Sequence, residues 1–226
     1  MQEERTQGIV LRSLDYKDSQ RIITAFTPMG LVSLIVKGIT QRAMGLLNLT
    51  TPFCEGEFVF KRTRSDLLSF LDGSVIDSHL SLRERLSSLE TAGNLGKAIL
   101  SSQLDGKSSF ELYQLFRFYL KQIPSFASPA SLLASFQLKL LSHEGLLALS
   151  PHCNRCPKEN AAFLSKGESL CAAHPLEEGF HFSPDEWTLL VQLEQAKQFS
   201  VLRTLELPAL VHQKIDVFFK YRIAQQ

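Results

Sequence analysis

The sequence predicts an α+β chain, with a small β-barrel first, helices after it, and a pair of metal-binding knuckles set late among the helices. Three observations predict this. Five short runs rich in β-branched and aromatic residues fall between residues 6 and 77. From Asp77 onward, apolar residues recur at helical spacing. Three cysteines and a histidine then stand as C-x-x-C and C-x-x-H between Cys153 and His174.

The strand runs are QGIVLRSL, QRIITAFT, LVSLIVKG, GEFVFKRT and LLSFLDGSVI. In the third, Val32, Leu34 and Val36 share one face, while Leu31, Ser33, Ile35 and Lys37 share the other. Two partly apolar faces suit a curled sheet with a filled interior. Pro28-Met29-Gly30 reads as a turn between two strands. Five strands in such a short stretch predict a small closed barrel of the OB type over residues 1–79. Phe26, Phe58, Phe60, Phe70 and the solitary Cys54 are read as core, and Tyr16 as a ring able to stack in solvent.

Residues 80–226 read as a helical domain. Leu82, Leu86, Leu89, Leu95 and Ile99 mark a helix over 81–104. Tyr113, Phe116, Leu120 and Ile123 mark a second over 110–123, and Leu133, Phe136, Leu140 and Leu141 a third over 129–143. Gly145 reads as the stop for the third, and Ser125 to Pro129 as a linker. Ser183-Pro184-Asp185-Glu186 has the serine cap, early proline and acids of a helix start. A final helix is expected over 208–222.

The knuckles lie in an inserted module spanning 151–182. Cys153, Cys156 and Cys171 can supply three thiolates and His174 one imidazole, a set that suits tetrahedral Zn2+. His152 and His181 are alternatives for the fourth position. A catalytic zinc would need an open position and a neighbouring acid or base. Neither H-E-x-x-H nor the H-x-E with P-C-x-x-C of zinc deaminases occurs. A structural Zn2+ is therefore the expectation. Gly-rich phosphate loops, G-x-S-x-G and paired carboxylates are absent as well, so an enzyme is not predicted.

At 44% hydrophobic and 21% charged, the composition is that of a soluble globular protein, and no apolar run is long enough to span a membrane. The polar start MQEERTQG does not read as a secretory signal, and thiols grouped in knuckles suit a reducing cytoplasm. Net charge is only +1, but residues 12–64 hold eight basic side chains against four acidic ones. An anionic partner should prefer this part. Lys37, Arg42, Lys61, Arg62 and Arg64 are the candidate phosphate contacts, placed at strand ends and loops of the barrel.

The order of parts resembles the RecO family of bacterial DNA repair proteins. The resemblance is carried by Gly8-Ile9-Val10-Leu11, by Asp15 to Ile22, by Thr27-Pro28-Met29-Gly30-Leu31 and by Val36-Lys37-Gly38. Later it is carried by His143-Glu144-Gly145-Leu146, Pro151 and the knuckles. It implies binding of single- and double-stranded DNA, annealing of complementary strands, and loading of RecA on DNA coated by single-strand binding protein (SSB). The implied partners are RecR, the SSB C-terminal tail and, in some bacteria, RecF; the implied location is the bacterial cytoplasm, with the nucleoid. Two departures stand out: His174 replaces a cysteine frequent in zinc-bearing relatives, and only Arg42 is basic between Gly38 and Gly45. The reading from another class is a zinc-braced OB-fold protein-interaction adaptor without direct DNA binding.

Overall fold

Alternation of side chains decides the first part of the molecule. The computed structural model describes residues 3–62, 67–156, 160–174 and 179–225. Strands β1 (Glu3–Asp15), β2 (Gln20–Thr27), β3 (Gly30–Lys37), β4 (Glu55–Lys61) and β5 (Leu68–Asp77) close into a barrel in the order β1-β2-β3-β5-β4. β1 closes it by pairing with β4 from Glu3↔Lys61 to Ile9↔Glu55. β3 meets β5 in parallel, through Leu34↔Leu68 and Ile35↔Ser69.

The interior holds Val10, Ile23, Ala25, Leu34, Val36, Phe58 and Phe60. A short helix, α1 (Met44–Leu49), adds Leu49 to this core. Sequence periodicity misses α1 because six residues are too few to show a repeat. Two glycines make room for it. A Cβ at Gly56 would collide with Leu49 Cδ1, and one at Gly73 would lie 2.9 Å from Leu49 Cδ2. Glycine in a strand here marks close approach rather than a loose ladder.

The second apolar face of the barrel has its own cover. Helices α2 (Leu86–Ser102) and α3 (Phe110–Gln122) belong to the same compact unit as the strands, which runs to Pro124. Phe26 is fully buried with its ring edge-on to Tyr113 and Phe116 of α3, both at 5.9 Å. On α2, Gly96 lets the rings and methyls of Phe53 and Leu11 approach. The expected boundary at 79/80 marks where strands give way to helices; by packing, the compact unit continues for two helices more. Ser109 caps α3 by accepting from the Leu112 amide at 3.2 Å.

The second compact unit, residues 125–226, is built around α4 (Ala130–His143). This helix is apolar nearly all round, with Leu132, Leu133, Phe136, Leu140 and Leu141 buried, as expected of a central helix. Its polar side chains bind the neighbours. Ser131 donates to the Leu202 carbonyl at 2.8 Å and Ser135 to the Leu193 carbonyl at 2.6 Å. Those carbonyls belong to α6 (Phe199–Thr204) and α5 (Pro184–Gln195). Gln137 reaches Asp216 of α7 (Ala209–Ile223) at 3.0 Å. α5 starts with the expected Ser183 cap, completed as a capping box by Glu186. A small sheet of β6 (Phe163–Ser165), β7 (Glu168–Leu170) and β8 (Phe180–His181), in the order β7-β6-β8, carries the knuckles. No helix among the described residues is long and apolar enough to cross a membrane.

Candidate metal centre and nucleic-acid surface

The β6–β7 hairpin turns at Lys166 and Gly167, with φ of 49° and 85°. A Cβ on Gly167 would enter the Leu146 carbonyl, so glycine is required where the hairpin meets the end of α4. The hairpin sets Cys171 just past β7, facing the first knuckle. Ser169 and Asn154 lock the two knuckles together. The Ser169 amide donates to Asn154 Oδ1 at 2.7 Å, and the Asn154 amide donates to the Ser169 carbonyl at 2.7 Å. Ser169 Oγ also accepts from the Ser150 amide at 2.9 Å. These orienting residues carry no motif and could not be found by spacing.

Cys153, Cys156, Cys171 and His174 then converge, with their donor atoms all within 4.8 Å of one another. His174 Nδ1 lies 3.8, 3.3 and 3.3 Å from the sulfurs of Cys153, Cys156 and Cys171, and Cys156 and Cys171 sulfurs are 3.4 Å apart. Ligand lengths of about 2.3 Å to sulfur and about 2.0 Å to nitrogen imply tetrahedral edges of roughly 3.5–3.8 Å. The cluster is close to that size, so it could hold a metal ion. His152 and His181 are not part of the group; the His181 ring packs on Phe163 at 4.9 Å.

The electrostatics point the same way. Burial pushes the Cys153 thiol up, but backbone amides of Arg155, Cys156 and Cys171 outweigh it and bring the group down to about 6. Burial, then the neighbouring sulfurs, push Cys156 up to about 12. Protein groups alone stabilise one thiolate here and resist a second. A bound divalent cation would allow several thiolates to share so small a volume.

The cations of the barrel separate into three kinds. Lys37 ends β3 in solvent, and Lys61 ends β4 half-buried. Lys61 pairs with Ser69, and Ser69 with Ile35, two residues before Lys37. Val36 and Phe60 point into the core, so both lysines face outward, on the two strands that flank β5. Arg42 is exposed in the loop before α1. Arg62 is exposed but held by Glu4 through two hydrogen bonds of 2.7 and 3.3 Å. That carboxylate pushes its guanidinium pKa further up and offsets its charge. Arg64 lies outside the described residues.

Two further residues join this end of the barrel. Lys17 sits over the Tyr16 ring at 5.2 Å on the β1–β2 turn. The Ile39 amide donates to the Ser19 carbonyl at 3.0 Å, tying that turn to the loop of Arg42. Arg21, by contrast, is spent on Asp15 at 2.8 Å and Thr50 at 3.1 Å.

Comparison with known proteins gives this arrangement its context. The family described as Recombination protein O N terminal matches residues 1–79, and Recombination protein O C terminal matches residues 92–218. The chain belongs to the RecO family. A DNA repair protein RecO of Chlamydia pneumoniae is 30% identical over 215 residues, covering 94% of this chain and 85% of the relative. One from Chlamydia muridarum is 30% identical over 216 residues, covering 94% and 92%. One from Clostridium acetobutylicum is 29% identical over 198 residues, covering 84% and 79%. The C-terminal match spans helices of both compact units together with the cysteine cluster. RecO-family membership makes the chain a DNA repair protein.

Proposed function

We propose that this RecO-family chain is a non-enzymatic recombination mediator. It binds single- and double-stranded DNA, anneals complementary strands, and helps to load RecA on SSB-coated DNA together with RecR, and with RecF where that protein is used. Family membership over both parts of the chain carries the reading. Lys37, Lys61, Arg42 and Lys17 on the barrel support it. Annealing needs strands held close, with charge partly neutralised and base edges free, and lysines contacting phosphates leave the bases unread. Of the expected contacts, Arg62 contributes least in the free protein because Glu4 must first release it; Arg64 completes the proposed set.

In the second unit, a groove of about 500 Å3 is lined by Phe126, Leu205, Leu207 and Arg203. Apolar walls beside a guanidinium suit the acidic, hydrophobic SSB tail. The proposed resident metal is Zn2+ on Cys153, Cys156, Cys171 and His174. When bound, Zn2+ holds the thiolates in their charged form and ties the two knuckles into one folded element. The proposed place of action is the cytoplasm, at the nucleoid.

The deciding experiment is annealing of complementary single strands coated with SSB. The expected result is faster annealing with the zinc-loaded chain than without it. A folded, zinc-loaded chain that neither binds DNA in a salt-dependent way nor anneals would instead support the adaptor reading.

A further inference from the structure

A second group of ligand-type residues lies in the barrel unit, away from the cysteines. Glu55, the first residue of β4, has a side chain with no solvent exposure. Arg117 of α3 donates to its Oε1 at 2.6 Å, and Lys121, one turn further on, lies 3.5 Å from its Oε2. His79 stands on the other side, with Nε2 at 3.8 Å from the same Oε2 and Nδ1 at 3.3 Å from Asp77 Oδ2.

Glu55, Asp77 and His79 have donor atoms within 4.8 Å, as metal ligands do. Two protein cations already occupy the Glu55 carboxylate, so a divalent ion would face net repulsion there. A proton is the smaller addition that this geometry accepts. Asp77 can only accept, so neutral His79 carries its hydrogen on Nδ1. Its bare Nε2 then faces Glu55 Oε2, which has Lys121 as an ion-pair neighbour at 3.5 Å, and neither facing atom has a hydrogen-bond partner among the described residues. Two buried acceptors facing each other leave a place for one hydrogen.

We propose that protonation of His79 is an acid-operated release for the last turn of α3. The imidazolium donates from Nε2 to the Glu55 oxygen that Lys121 now shares, and from Nδ1 to Asp77, and Lys121 is freed to solvent. The proton comes from water, and no other bond changes. The barrel residues are already positioned for this exchange. His79 is held in the left-handed region, at φ 44° and ψ 45°, by its amide donating to Asp77 Oδ1 at 2.8 Å. Lys121 lies on the turn of α3 that leads to Pro124, where the first compact unit ends.

Tyr113 and Cys54, which also border the site, stay protonated through the range in which a histidine titrates. Burial, then Glu55, push the Tyr113 phenol up to about 12. Burial pushes the Cys54 thiol up to about 11 against the lowering effect of Arg83. Arg83 itself donates to the Ser78 and Pro52 carbonyls at 3.3 and 3.0 Å. His79 is the group whose bare ring nitrogen faces a second acceptor. Burial holds it below the ordinary histidine value of 6.5; Asp77 and Glu55 act upward, Lys121 and Arg117 downward.

The test follows the His79 ring by NMR titration of the full chain. Lys121 and the imidazolium compete for one oxygen, so Lys121→Met should raise the His79 midpoint by about half a pH unit or more. Asp77→Asn should lower it by a similar amount and change the ring tautomer. An unmoved midpoint in a folded Lys121→Met protein, or in Asp77→Asn if the first does not fold, overturns the exchange. Backbone relaxation supplies the second reading. Below the His79 midpoint found in that titration, residues 119–122 should be more mobile in the wild type than in His79→Gln, and at pH 7.5 the two should match. Equal mobility at both pH values would also overturn it.

Discussion

Two buried clusters in this molecule solve the same electrostatic problem in opposite ways. At the barrel, Glu55 is balanced by cations that the chain brings with it, Arg117 and Lys121. At the knuckles, Cys153, Cys156 and Cys171 gather around His174, and burial together with the Cys171 and Cys153 sulfurs raises the cost of ionising Cys156. One site draws its positive charge from the protein. The other has a donor set that could draw it from a metal. The physical reason is the partner available. A long guanidinium can reach a strand end from an adjacent helix, whereas thiolates gathered within a few ångströms of one another are matched most compactly by one divalent ion.

The largest effect expected from breaking this contrast is at the knuckles. Cys153→Ser with Cys156→Ser should abolish stoichiometric zinc in metal analysis and remove on the order of 10 kcal/mol of metal-linked folding energy from the module. Local unfolding, seen as faster hydrogen exchange from β6 to β8, is the measurement. A variant equally protected without zinc would remove the brace from the account. At the barrel, Arg117→Ala leaves a buried carboxylate short of its main partner and should cost about 3–5 kcal/mol in chemical denaturation. Pairing it with Glu55→Met should recover most of that loss, because no bare charge then remains buried. If the double variant is no better than the single, Glu55 is not the reason for the cost.

The pH response separates the clusters further. The His79 value is depressed in the folded chain, so the unfolded chain takes up the proton first. Stability from this group is therefore fully present above the ordinary histidine value of about 6.5 and falls as pH drops through the range beneath it. His79→Gln should flatten that part of the curve; a wild type whose stability rises on acidification would reverse the sign.

The smallest effect on stability belongs to the surface. Lys37→Ala with Lys61→Ala should leave denaturation within about 0.5 kcal/mol. It should reduce the log–log salt slope of single-strand binding by about 0.7 for each phosphate no longer neutralised. Arg62→Ala should matter less than either lysine, since Glu4 already holds it. An unchanged slope in the lysine pair would move the DNA path elsewhere.

Much of this architecture is legible in the sequence. Alternation alone places Phe58, Phe60 and Leu34 in the barrel core, and Ser183 announces α5. Three helices begin and end near where their apolar spacing puts them. The helix expected over 81–104 is the exception at its start. The chain makes a 3₁₀ turn over Leu80–Arg83 and begins α2 only at Leu86. Phe26 reads as core, and it is buried, but under α3 rather than inside the barrel. Periodicity reports that a face is apolar and says nothing of which element covers it.

The sequence by itself determined the period of each long element, the chemistry of the four metal-type donors and the order of parts that marks the RecO family. Those properties are local or additive, and survive without knowing who touches whom. Only the tertiary structure decided that His174 rather than His152 or His181 joins the cysteines. It likewise decided that Arg62 is tied to Glu4 while Lys37 faces solvent, and that Glu55 lies beneath Arg117, 62 residues away. Charge pairing falls off within a few ångströms and ignores distance along the chain, so no reading of composition or spacing could have assigned it.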